Sequence, residues 1–89
     1  MPTTLLRLPA VKARSGLSRS TVYLRISQGL WTRPVGLGGR AVAWPADEVD
    51  AFNAARIAGK TDAQVRHLVA RLESMRLSAS TGLPADGQA

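Results

Sequence analysis

The sequence predicts a small, mainly helical α+β domain, and three observations point to it. Two short helical segments are separated only by Gly16-Leu17-Ser18, and a glycine in so tight a connection indicates a helix-turn-helix. Gly38-Gly39 lies between two short, largely apolar runs and predicts a β-hairpin. Further helical segments follow the hairpin. Together these features are typical of the winged helix-turn-helix, the fold class that we expect.

The first two helices have recognisable ends. The first is predicted over residues 9–15, because proline is favoured in the first helical turn and Gly16 can end a helix with positive φ. Ser18 is a good N-cap, since its hydroxyl can accept a hydrogen bond from a free backbone N–H. It predicts a second helix over residues 19–27.

The glycine pair defines the expected hairpin register. We expect Gly38-Gly39 to form a two-residue type I′ turn, in which both residues need positive φ. The apolar residues then share one side of the hairpin, which must pack on the helices because an isolated hairpin is only marginally stable. This register pairs Val35 with Val42 and Arg33 with Trp44, and it places Leu37 on the same side as Val35.

Two more helices are predicted after the hairpin. The third begins at Pro45, and its early carboxylates, Asp47, Glu48 and Asp50, are explained by the favourable interaction of acidic groups with a helix N-terminus. Thr61 and Gln64 match a capping box, which predicts a fourth helix over residues 61–77. Residues 78–89 are rich in small and polar residues, and we expect them to form a disordered tail.

The fourth helix carries a narrow apolar seam with two interpretations. The seam could pair with a second copy of the chain and produce a homodimer, or it could pack on its own domain. The sequence leaves both open. The seam consists of Val65, Leu68, Leu72 and Met75.

Charge is distributed unevenly along the chain. The net charge is +6, and residues 1–46 contain seven basic residues, six of them arginine, with no Asp or Glu. Such a segment repels itself unless a polyanion neutralises it, and arginine suits bidentate contacts with phosphate and guanine. Double-stranded DNA is therefore the expected partner, although a solvated basic surface is the alternative.

The second helix is the best candidate for a major-groove contact. Recognition helices present short polar side chains in their first turn, and an arginine there can pair with guanine. The alternative is a capped surface helix whose serines only satisfy its own backbone. The candidate residues are Ser18, Arg19, Ser20, Thr21 and Tyr23.

The hairpin tip is a second candidate contact. Arg40 beside Gly39 could enter a minor groove, where narrow A·T tracts attract arginine, or it could be a solvated residue of a plain structural hairpin. Lys12, Arg14 and Arg33 are expected to be phosphate contacts or solvated charges.

Other classes of function find little support. The chain has no cysteine and a single histidine, His67, so we expect no metal, no cofactor, no small-molecule substrate and no enzymatic activity. It lacks a run of about 18 apolar residues and a signal-peptide core, which predicts a cytoplasmic protein without a membrane contact.

Four blocks of sequence resemble the AlpA family of phage and prophage regulators over residues 5–59. The resemblance implies a fold similar to MerR-type winged helices and to excisionases, with residues 19–27 as recognition helix and the hairpin as wing. Arg25 would also belong to the contact set, but Leu24 precedes it where the family has a basic residue. The blocks are Arg7-Leu8-Pro9-Ala10-Val11, Gly16-Leu17-Ser18-Arg19-Ser20-Thr21-Val22-Tyr23, Arg33-Pro34-Val35-Gly36-Leu37-Gly38-Gly39-Arg40-Ala41-Val42-Ala43-Trp44 and Glu48-Val49-Asp50-Ala51-Phe52.

The expected organisation is thus a DNA-binding domain over residues 5–59, a helix over 61–77 and a tail over 78–89. The expected function is sequence-specific transcription regulation of the phage type. One alternative is an excisionase that bends DNA at attachment sites. An alternative of another class is a protein-interaction adaptor that acts through the C-terminal helix.

Overall fold

The computed structural model describes the backbone of residues 4–81 and the side chains of residues 4–76. Its described part is an α+β fold with four helices and a three-stranded antiparallel sheet. The helices are α1 (Leu8–Ser15), α2 (Arg19–Ser27), α3 (Ala46–Ile57) and α4 (Asp62–Thr81), and the strands are β1 (Leu5–Leu6), β2 (Val35–Gly38) and β3 (Ala41–Pro45).

The connection between α1 and α2 forms as the sequence predicts. Gly16 ends α1 with φ of 76°, and its N–H donates to the carbonyl of Lys12 at 2.8 Å. Ser15, which is buried, donates its hydroxyl to the Val11 carbonyl at 2.7 Å and accepts from the Leu17 N–H at 3.2 Å. These local bonds hold the turn in place. They allow α1 and α2 to be separated by only three residues.

The sheet has the order β1-β3-β2, and β1 was not predicted. Leu5 pairs with Pro45 and Leu6 with Trp44, and the Ala46 N–H donates to the Thr4 carbonyl at 2.7 Å. A strand of two residues is too short to show alternation, so only its partner strand reveals it. The result is that β3 lies in the centre of the sheet, with the N-terminal segment covering one of its edges.

The predicted hairpin register is wrong. The turn residues are Gly39 and Arg40, and the observed pairs are Val35 with Ala43, Gly36 with Val42 and Gly38 with Ala41. The ladder is irregular between Gly36 and Gly38, because a positive φ of 108° at Gly38 lets β2 accommodate an extra residue. Leu37 is therefore 44% exposed instead of packing inward, and Ala43 is fully buried.

Two tryptophans dominate the core. Trp44 of β3 is fully buried, and Trp31, from the connection between α2 and β2, is 2% exposed and stacks on Phe52 with ring centroids 4.4 Å apart. The α4 helix adds two residues to the same cluster, so it belongs to the same hydrophobic core as α1–α3 and β3. The other members of the cluster are Leu6, Val11, Val22, Ala46, Val49, Val69 and Leu72.

The α3 helix begins at Ala46, one residue after the predicted start at Pro45, which is its N-cap, and α4 matches the prediction at its start but not at its end. The capping box is confirmed: the Gln64 N–H donates to Thr61 Oγ1 at 3.2 Å, and the Thr61 N–H donates to Gln64 Oε1 at 2.9 Å. The helix continues to Thr81, so its predicted end at residue 77 is four residues too early and residues 78–81 are helical. The remainder of the predicted tail, residues 82–89, lies outside the described residues.

Candidate nucleic-acid interface

The first turn of α2 presents a cluster of hydroxyls. Ser18 caps the helix, since its Oγ accepts from the Thr21 N–H at 3.2 Å, and the same Oγ lies 2.9 Å from Thr21 Oγ1 and 3.2 Å from Ser20 Oγ. Ser18 and Ser20 are exposed, whereas Thr21 is half-buried. Ser18 is thus committed to its own helix, while the Ser20 hydroxyl keeps free hydrogen-bonding capacity at the helix start.

Arg19, Tyr23 and Trp44 form a continuous series of side-chain contacts that links α2 to the sheet. The Arg19 guanidinium carbon lies 5.7 Å from the centroid of the Tyr23 ring, within cation–π range. The Tyr23 ring meets Trp44 of β3 edge-on, with centroids 6.2 Å apart and an angle of 71° between the rings. Tyr23 is 38% exposed and Trp44 is fully buried, so this series of contacts runs from the surface into the core.

The cations of the acid-free half divide into two groups. Arg14 pairs with Asp50 at 3.4 Å and Arg33 with Glu73 at 3.7 Å, through exposed contacts of the kind that contribute little free energy. Apart from the half-buried Arg25, the others are exposed and, within residues 4–76, form no ion pair: Arg7, Lys12, Arg19 and Arg40. Their charge is therefore uncompensated at the surface.

Several cations of the second half serve the fold instead, whereas Lys60 and Arg71 are exposed. Arg56 donates to the Ser15 carbonyl at 2.7 Å, at the end of α1, and Arg66 donates to the Gln28 carbonyl at 3.0 Å, just beyond α2. Arginines at helix C-termini satisfy free carbonyls and oppose the negative end of the helix dipole. The positive charge left for a polyanion therefore belongs mainly to the acid-free half, as the distribution along the sequence suggests.

Arg25 differs from the other predicted contacts. It is half-buried, and its Nε is shielded from solvent without a hydrogen-bond partner in the described part of the chain. Arg19, by contrast, is exposed at the opposite end of the same helix. The structure thus sets Arg25 apart from the exposed group formed by Arg19 and Ser20.

The hairpin tip is open to solvent. Gly39 and Arg40 are its turn residues, and both are exposed. A Cβ added at Gly36, Gly38 or Gly39 would meet no atom within 4 Å. The tip therefore leaves room for a ligand to approach its backbone closely.

Sequence reasoning missed the role of Glu48. It is buried, at 4% exposed, and it accepts hydrogen bonds from Thr32 Oγ1 at 2.8 Å and from two nitrogens of Arg76 at 2.6 and 2.8 Å. The explanation of Glu48 as a residue of the helix terminus is therefore incomplete. Its principal partners lie outside α3, which no local pattern could reveal.

The predicted seam of α4 divides between the core and the surface. Leu72 is buried in the chain's own core, and Val65 and Leu68 pack against it half-buried, which favours the second interpretation, packing on the same domain. Met75 is 57% exposed. A homodimer through all four residues is thereby disfavoured, because Leu72 is already used.

Neither a metal-binding cluster nor a membrane-spanning helix is found among the described residues. Among them, no group of three His, Cys, Asp or Glu side chains could hold a metal ion. None of their helices is long and apolar enough to cross a membrane.

Comparison with known proteins gives two matches. The family model described as "Prophage CP4-57 regulatory protein (AlpA)" matches residues 4–57. A curated protein of Enterobacteria phage P4, "Uncharacterized protein ORF88", is 51% identical over 55 residues, which are 62% of this chain and 62% of that protein. The match thus spans less than two thirds of the relative's length. No solved structure matches the chain.

Proposed function

This chain belongs to the AlpA family of prophage regulatory proteins. We propose that it binds double-stranded DNA at specific sequences and thereby regulates transcription. In this proposal the fold acts as a winged helix-turn-helix, with α2 as recognition helix and the β2–β3 hairpin as wing. One observation carries it. The exposed Arg19 at the start of α2 lies over the ring of Tyr23, which contacts Trp44 of the hairpin, so side-chain contacts join the two proposed DNA-contacting elements.

Anchoring to phosphate comes first in the proposed mechanism. The free N–H groups at the start of α2 and the Ser20 hydroxyl can donate to a phosphate oxygen, and the helix dipole favours the negative charge there. Lys12 is exposed on α1 and adds a charge that carries no sequence information. Arg14 and Arg33 can also contact the DNA backbone if each exchanges its weakly bound carboxylate partner for a phosphate group.

Arg19 reads sequence in this proposal. Its guanidinium can donate two parallel hydrogen bonds to O6 and N7 of guanine, which discriminates against other bases by about 1–3 kcal/mol. Contact with the Tyr23 ring restricts the guanidinium before DNA arrives. Less side-chain entropy is then lost on binding. Tyr23 itself is exposed enough to touch a phosphate or a thymine methyl group.

The hairpin supplies the second contact. Arg40 and Gly39 lie at an exposed turn, and Gly36 and Gly38 of the adjoining strand have no side chains to obstruct an approach to the backbone. Such a tip can approach a narrow minor groove, where the negative potential attracts arginine. The interface is thus proposed to combine major-groove reading by α2 with a minor-groove contact by the hairpin.

Binding measurements test the proposal directly. Duplexes selected by the protein from a random 20-bp library are compared with a scrambled duplex at several salt concentrations. We expect preference for the selected sequence, affinity that falls steeply with salt, and loss of preference in Arg19→Ala and Arg40→Ala but not in Arg71→Ala, a matched exposed arginine of α4. Equal affinity for selected and scrambled duplexes would contradict sequence-specific binding.

Footprinting separates two roles within the proposed class. Protection upstream of a promoter indicates a transcription regulator, whereas protection beside an attachment core, with bent DNA, indicates an excisionase. An adaptor acting through α4 predicts the opposite mutational pattern, with no effect of Arg19→Ala. Leu72 of α4 is buried in the chain's own core and is therefore not available to such a partner.

A further inference from the structure

The α4 helix contacts the segment that joins the two proposed DNA-binding elements. Residues 28–34 connect α2 to β2 and contain no regular helix or strand. Arg66 Nε donates to the Gln28 carbonyl at 3.0 Å, at the start of this connection. Glu73 Oε2 accepts from the Arg33 N–H at 2.9 Å, near its end. Two side chains of one helix thus hold both ends of the connection.

A third contact holds Thr32, the residue before Arg33. Arg76 binds Glu48, which accepts from the Thr32 hydroxyl at 2.8 Å, and the Thr32 carbonyl accepts from Trp44 Nε1 at 3.0 Å. Thr32 is fully buried, so these bonds are shielded from water. The path runs from α4 through α3 and the connection into β3. Each link is a directional hydrogen bond, which fixes orientation as well as distance.

The matched family segment ends at residue 57, before α4 begins at Asp62. Arg66, Glu73 and Arg76 therefore lie outside the region that the family model matches, yet they orient the segment between its two contacting elements. We propose that α4 sets the position of the hairpin relative to α2 and that these three are positioning residues for DNA binding. This inference rests on the proposed DNA-binding function.

Geometry shows why small changes in the connection matter. The four residues of β2 span about 13 Å, so a tilt of about 10° at the base displaces the hairpin tip by about 2 Å. A hydrogen bond to a base or phosphate tolerates only a few tenths of an ångström. A loosened connection would therefore cost contacts at Arg40 although Arg40 itself is unchanged.

The test compares two arginines on opposite flanks of α4. Arg66→Met keeps most of the aliphatic stem beside Gly29 and removes the donor to Gln28, whereas Arg71→Met removes the same charge from a side chain that contacts neither. The probes are a duplex selected by the wild-type protein and its scrambled counterpart. We expect Arg66→Met to lower the ratio of specific to non-specific affinity about tenfold, and Arg71→Met to leave it unchanged.

A second pair at Glu73 provides rescue by a conservative variant. Glu73→Ala removes the acceptor for the Arg33 N–H, while Glu73→Gln keeps an amide oxygen that can accept it. We expect the loss of specificity in Glu73→Ala to be largely restored in Glu73→Gln. Thermal unfolding of all variants identifies any change that reflects general destabilisation.

Coupling to the hairpin tip distinguishes positioning from stability. If α4 acts through the hairpin, Arg66→Met should have little further effect once Arg40 is Ala, so the two changes will be strongly non-additive. Additive effects of Arg66→Met and Arg40→Ala, or equal effects of Arg66→Met and Arg71→Met, would overturn the inference. Failure of the wild-type protein to prefer its selected duplex would instead overturn the proposed function.

Discussion

The carboxylate of Glu48 on α3 accepts two hydrogen bonds from the guanidinium of Arg76 on α4, between Oε2 and Nε at 2.8 Å and between Oε1 and Nη2 at 2.6 Å. The Glu48 side chain is 6% exposed and the Arg76 side chain 24%. A bidentate pair of this kind is geometrically specific, and its buried carboxylate cannot be left without partners cheaply. It joins α3 to α4, both of which contribute residues to the hydrophobic core.

Arg76→Met should therefore destabilise the fold by about 3 kcal/mol, at the lower end of the cost of breaking a buried pair, because Arg76 retains some solvent contact. Urea unfolding measures the change. Glu48→Gln combined with Arg76→Met should recover part of the loss, since no buried charge then remains. If the double variant is no more stable than Arg76→Met, the burial of Glu48 is not the cause.

The serines at the start of α2 should separate stability from binding. Ser18→Ala removes the acceptor for the Thr21 N–H and should cost about 1 kcal/mol of unfolding free energy. Ser20→Ala should change stability little, because Ser20 caps nothing, yet it should weaken DNA binding in proportion to a lost phosphate contact. Thermal unfolding and titration with a selected duplex check the two effects. Equal stability losses would show that both serines serve only the helix.

Features that depend on neighbouring residues were predictable from sequence. The N-cap at Ser18, the positive φ at Gly16 and the capping box at Thr61 form within one helical turn, so the residue types alone determine them. The resemblance of four sequence blocks to one family is confirmed by the family match over residues 4–57.

Features that depend on contacts between distant residues were not predictable from the sequence. The strand Leu5–Leu6 exists only because β3 is present to pair with it. The hairpin register depends on an irregularity at Gly38 that a pattern of alternation does not show. Glu48 and Arg76 are 28 positions apart. The local sequence around Glu48 shows only a carboxylate near a helix N-terminus, and the helix dipole is a sufficient explanation for such a residue. Tertiary contacts decided each of these points.

The two glycines of the hairpin should respond differently to substitution. Gly39 has φ of 55°, in the left-handed region that asparagine tolerates, whereas Gly38 has φ of 108°, which other residues rarely adopt. Gly39→Asn should be nearly neutral, and Gly38→Ala should cost about 1–3 kcal/mol. Since a Cβ at either position meets no atom within 4 Å, the difference arises from the backbone alone. Unfolding measurements with comparable losses for both variants would contradict this reasoning.

Salt dependence should distinguish the cation that reads bases from the one that contacts phosphate. Lys12→Ala should weaken binding to selected and scrambled duplexes alike and reduce the slope of log K against log salt by about 1, because one fewer counterion is released. Arg19→Ala should leave that slope nearly unchanged while the preference for one base pair falls by about 1–3 kcal/mol. Fluorescence anisotropy at several salt concentrations, with duplexes substituted at single positions, measures both quantities. If Arg19→Ala instead lowers the slope and spares the preference, Arg19 contacts phosphate and another residue of α2 reads the sequence.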